Sequence, residues 1–91
     1  MISVGSVLFY SHGYRGTERA DGWIMFSSDS AQTWWPWRQL DPGAFGYSGL
    51  TLLGQNATHV KLGAVWEGDG GIRWGVVEDL IPTGDSKLTS L

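Results

Sequence analysis

Apolar and polar positions along the chain alternate in short bursts, with turn residues between them and no sustained helical period. The segment 4–10, Val-Gly-Ser-Val-Leu-Phe-Tyr, is β-branched and aromatic and predicts a strand, followed by a polar, Gly-bearing loop that runs through Gly22. Residues 23–26 predict a second strand, bounded by Ser27-Ser28-Asp29-Ser30. A third covers 34–40 and is interrupted by Pro36, which confines it to an edge or an irregular strand. Asp41-Pro42-Gly43 reads as a turn. Strands are then predicted over 45–53 and 59–66, and Gly68-Asp69-Gly70-Gly71 forms a hairpin turn into a last strand over 72–80. From Pro82 the sequence is polar and aperiodic, a tail. These six strands predict an all-β chain of antiparallel sheets. The first strand has no partner before it, so an open edge is expected there, as if the sheet had been cut.

Composition agrees with the pattern. Fourteen Gly and six Trp in 91 residues suit short strands and tight turns better than helices. The six Lys and Arg against nine Asp and Glu leave a net charge of −3 with no basic run, which excludes a nucleic-acid surface. No continuous apolar stretch is long enough for a membrane span. The absence of Cys removes disulfides, thiolate metal sites and cysteine nucleophiles together. Asn56-Ala57-Thr58 is a glycosylation sequon, a triplet that chance often produces.

Three motifs carry the functional reading. The first is Ser27-Ser28-Asp29-Ser30-Ala31-Gln32-Thr33-Trp34, which resembles the Asp box, Ser-x-Asp-x-Gly-x-Thr-Trp. A carboxylate at Asp29 can accept backbone N–H bonds across a tight turn while Trp34 packs beneath it, a structural role rather than a catalytic one. Ala31 stands where the motif has Gly, so a left-handed turn residue is in question there. The second is Leu8-Phe9-Tyr10-Ser11-His12 followed by Arg19-Ala20-Asp21, just before that box; Arg15 in the same loop is a second cationic candidate. The third is Phe45-Gly46-Tyr47-Ser48-Gly49-Leu50, then Leu62-Gly63-Ala64-Val65-Trp66-Glu67, then Ile72-Arg73-Trp74.

In this order, over nearly all of residues 7 to 80, the three motifs resemble the C-terminal part of the sialidase (neuraminidase) family. The resemblance implies a C-terminal fragment, about one and a half blades, of a six-bladed β-propeller, with residues 1–81 as the partial propeller domain and 82–91 as the tail. It implies that Tyr47 is the catalytic nucleophile, that Glu67 orients one of three substrate-binding arginines, and that Arg19 is another of those three. Ser27, Asp29, Thr33 and Trp34 are then the structural Asp-box residues. The implied partners are a sialylated glycan and the remainder of the propeller, and neither a cofactor nor a metal is implied.

The chemistry of the implied substrate suits these residue types. Sialic acid carries a carboxylate on its anomeric carbon, and guanidinium groups clamp it with charge and a bidentate fork. A carboxylate nucleophile would be repelled by that group at close range, whereas a neutral Tyr hydroxyl avoids the clash. A covalent tyrosyl intermediate implies retention, outside the usual two-carboxylate scheme. The family also requires two further arginines, an Asp acid/base and a Glu that activates the Tyr. The other two glutamates, Glu18 and Glu78, lack the family context. The isolated chain is therefore expected to be inactive and to associate through uncovered edges.

Two other readings compete. A non-catalytic Asp-box propeller or carbohydrate-binding module explains the box but leaves the settings of Tyr47 and Glu67 as accidents. A membrane-active segment at Trp34-Trp35-Pro36-Trp37-Arg38 has interfacial Trp but a single Arg in an acidic chain.

Overall fold

The computed structural model describes residues 1–13 and 20–82. Seven strands form: β1 (Ile2–Val4), β2 (Val7–Gly13), β3 (Ala20–Ser27), β4 (Trp35–Ala44), β5 (Ser48–Gln55), β6 (His59–Gly68) and β7 (Gly71–Leu80). They pair as two antiparallel meanders, β1-β2-β3-β4 and β5-β6-β7. The all-β antiparallel architecture expected from the pattern is thus present, with one strand more than expected. Among the described residues no helix is long and apolar enough to cross a membrane.

The extra strand comes from the N-terminus. Val4 pairs with Val7 around Gly5-Ser6, and Gly5 adopts φ +59° at the first central position of the turn. A two-residue hairpin of this kind favours Gly there, because a positive φ matches the twist of the flanking strands. The expected strand over 4–10 is therefore corrected to a hairpin that breaks at residues 5–6. β2 lies between β1 and β3, so 4–10 is not the bare edge that the pattern suggested.

Asp41-Pro42-Gly43 is likewise not a turn but continues β4 to Ala44. β4 is an edge strand, where a Pro costs no ladder bond on the open side. Its pairing with β3 shifts register three times, which absorbs the irregular stretch. The chain turns instead at 45–47, so the strand expected over 45–53 begins at Ser48. The Gly68-to-Gly71 hairpin closes as expected.

The two sheets face each other across one core. Phe9, Ile24, Phe26 and Trp37 of the first sheet meet Val60 and Leu62 of the second. Phe9 and Trp37 pack with ring centroids 4.9 Å apart. A smaller cluster of Phe45, Ala64 and Trp66 lies beside it, with the two rings stacked at 6.0 Å. Burial of these large apolar groups is the main stabilising term. It also fixes how the 45–47 connection is held against β6, which places Tyr47.

Candidate functional site

Tyr47 stands at the entrance to β5 with 75% of its surface exposed. The anchor of the connection is Phe45, which is 2% exposed and packed on Trp66. Three bonds then tie the connection to the end of β6. The Gly46 N–H donates to the Glu67 carbonyl at 2.8 Å, and the Glu67 N–H to the Tyr47 carbonyl at 2.9 Å. The Tyr47 N–H donates to Glu67 Oε1 at 3.0 Å. Tyr47 and Glu67, 20 residues apart in sequence, are thus brought together.

Gly46 makes this apposition possible. A Cβ at that position would lie 2.8 Å from Glu67 Oε1 and 3.1 Å from Glu67 Cβ, so any larger residue requires the Glu67 carboxylate to move. With Oε1 held by the backbone, Oε2 has no hydrogen-bond or ion-pair partner among the described residues. A carboxylate fixed on one oxygen and open on the other can receive a guanidinium on the open side. Ser48, next to Tyr47, exchanges a hydroxyl bond with Ser11 of β2 at 2.7 Å, which links the two sheets close to the site. An open hollow of about 460 Å³ runs between Tyr47, Ser48, Val65, Glu67 and Ile72. An apolar hollow of about 400 Å³ adjoins it on the outer face of β5–β7, beneath Trp74, and no charged side chain lines it.

Arg19 lies outside the described residues, as do Arg15 and Glu18. The described chain resumes at Ala20, which pairs with Ala44, three residues before Tyr47.

The 28–34 segment joins β3 to β4 and is held by side chains. Ser27, 0% exposed, donates its hydroxyl to Asp29 Oδ1 at 2.8 Å and accepts the Ala31 N–H at 3.0 Å. Asp29 accepts the Thr33 N–H at 2.9 Å and the Thr33 hydroxyl at 2.5 Å. Both carboxylate oxygens are thereby engaged within the turn. Ser30 and Ala31 adopt φ of +59° and +69°, so Ala31 does occupy the left-handed region that the motif fills with Gly. Trp34 turns onto Tyr10 of β2, edge-on with centroids 4.6 Å apart.

One polar centre has no counterpart in the sequence reading. Asp41 of β4 is 7% exposed and reaches across to the second sheet. Its Oδ2 accepts the Trp66 indole N–H at 3.0 Å and faces Arg73 Nη1 at 3.6 Å, while Oδ1 accepts the Gly43 N–H at 2.9 Å. The Trp66 bond, then the Gly43 bond and the Arg73 charge hold its carboxyl below the usual Asp value, against the opposing effect of burial. Arg38 of β4 pairs with Asp79 of β7 as a second polar link between the sheets. Nothing in the sequence connects residues 41 and 66, and Asp-Pro-Gly masks the role of Asp41 as turn chemistry.

No protein-family model, no curated protein and no solved structure gives a significant match to this chain.

Proposed function

We propose that the chain is part of a sialidase-type glycoside hydrolase, in which Tyr47 attacks the anomeric carbon and Glu67 orients an arginine of the carboxylate clamp. The observation that carries this reading is the Tyr47–Glu67 apposition. An exposed tyrosine beside an open hollow has its backbone bonded to a carboxylate that keeps one oxygen open. A surface tyrosine with no role requires neither the Gly46 contact nor the fixed Glu67. The four-stranded meander with a side-chain-bonded turn between its third and fourth strands supports a propeller blade, and the three-stranded meander supports part of the next.

In this mechanism the full enzyme removes terminal sialic acids from glycoconjugates with retention. Arg19 is one of three arginines that clamp the sugar carboxylate. The acid/base Asp, the Tyr-activating Glu and the other two arginines come from the remainder of the propeller, so the 91 residues alone turn over no substrate. A non-catalytic propeller or carbohydrate-binding module remains the second reading, favoured by the bonding of Asp29 within its own turn, which serves any propeller equally.

The test is the chain joined to its upstream coding sequence and assayed on a fluorogenic sialoside. Turnover that falls at least about a thousandfold in Tyr47→Phe is expected, because catalytic groups act as a unit. Turnover indifferent to that substitution, or an upstream sequence without further blades, overturns the enzyme reading and leaves the binding module.

A further inference from the structure

Each sheet ends in two edge strands, and three of these four carry a device that blunts pairing with other chains. β1 has only three residues. β4 contains Pro36 and Pro42 and shifts register against β3. β5 bulges between Leu52 and Gly54. β7 carries none of these. It runs ten residues without Pro, and its pairing with β6 has no register shift from Gly68↔Gly71 to His59↔Leu80. Among the described residues its only strand partner is β6. Ile72, Trp74, Val76 and Leu80 stand exposed along it, Trp74 at 77%.

We propose that β7 is a self-association edge, which pairs antiparallel with β7 of a second copy about a two-fold axis at Val76. The register follows from the strand itself. A two-fold axis normal to the sheet keeps each face on its own side, so an outward residue must oppose an outward residue. The axis therefore falls on a residue, and Gly75 and Val76 are the two that flank the middle of the strand. With the axis at Val76, residues 72–80 oppose 80–72 of the second copy. Ile72 meets Leu80 twice over and Val76 meets Val76, while Trp74 lies opposite Glu78. An axis at Gly75 overlaps the strands equally but leaves two outward apolar pairs in place of three, and one at Val77 leaves two and shortens the overlap as well. Backbone ladder bonds and three apolar cross-strand pairs make a second copy the occupant that fits this edge. The product is a continuous six-stranded sheet, β5-β6-β7 followed by the same strands reversed.

The sequence offers a direct probe, because it contains no Cys. Cα atoms of directly opposed antiparallel residues lie about 4.5–5.5 Å apart, within the range a disulfide bridges. Val76→Cys is expected to convert to a covalent dimer under mild oxidation. Val65→Cys, on the same face with 47% exposure against 48% for Val76, lies one strand in and is expected to stay monomeric. Sedimentation of the unmodified chain from micromolar to millimolar concentration is expected to show a monomer–dimer equilibrium. Val76→Lys is expected to raise its dissociation constant about tenfold by setting two ammonium groups opposite each other. A chain that stays monomeric over that range overturns the proposal, whichever variants fold. Equal cross-linking of Val65→Cys, which reports face-to-face packing, overturns it too, as does a dimer indifferent to Val76→Lys.

Discussion

Removal of the Asp41 carboxylate tests how the two sheets are held together. In Asp41→Ala the Trp66 indole N–H loses its acceptor while Trp66 stays 7% exposed, and the Gly43 N–H and Arg73 lose theirs. A buried donor left unsatisfied costs about 1–3 kcal/mol, and loss of the charge-assisted bonds adds to it, so a total of about 2–4 kcal/mol is expected. A domain of this size has roughly 5–14 kcal/mol to lose. The thermal midpoint should fall by about 10–20 °C. Asp41→Asn keeps one acceptor oxygen but turns an amide N–H₂ toward a donor, so it should fall between wild type and Asp41→Ala. The pH dependence has a definite sign. The folded carboxyl sits below its unfolded value, so its contribution is full above the unfolded pKa and is lost as pH falls through the folded one. Denaturant unfolding at pH 7 and at steps below pH 4 measures both effects. Wild type should lose its advantage over Asp41→Ala as the solution becomes acid. A difference under about 0.5 kcal/mol at pH 7 would refute the inter-sheet role, since surface substitutions of no structural consequence fall in that range.

Ala31→Gly should stabilise the chain by roughly 0.5–1 kcal/mol, because the left-handed strain at φ +69° outweighs the added chain entropy; a lowered thermal midpoint would contradict this. Gly46→Ala should push the Glu67 carboxylate off the Tyr47 amide at a cost of about 1 kcal/mol, visible as a large shift of the Tyr47 amide resonance in a protein that otherwise keeps its spectrum. The 91-residue chain should show no turnover of a fluorogenic sialoside; cleavage that vanishes in Tyr47→Phe would mean that copies assemble a site between them.

The sequence reads best where a strand's periodicity and its turn agree. Residues 59–66 and 72–80 are strands flanking a Gly-rich hairpin, and they appear as such. Misreadings come from residues with two uses. Gly5-Ser6 looks like the interior of an apolar run but is a two-residue turn, because Val4 and Val7 both point into the core. Asp41-Pro42-Gly43 has turn composition, yet an edge strand tolerates its Pro, and the carboxylate is drawn inward by Trp66. Of the candidate site, the identities of Tyr47 and Glu67 are legible in their motifs. What joins them, the Gly46 contact and the burial of Phe45 on Trp66, depends on tertiary packing that no local spacing encodes.

The most direct measurement of the central claim is an amide NMR titration of the 91-residue chain with N-acetylneuraminate and, separately, with its methyl ester. Millimolar binding of the acid is expected, with shifts gathered at Tyr47, Ser48 and Glu67, and markedly weaker binding of the ester, whose carboxylate charge is gone. Shifts that leave those three residues untouched, or equal binding of acid and ester, would contradict that claim.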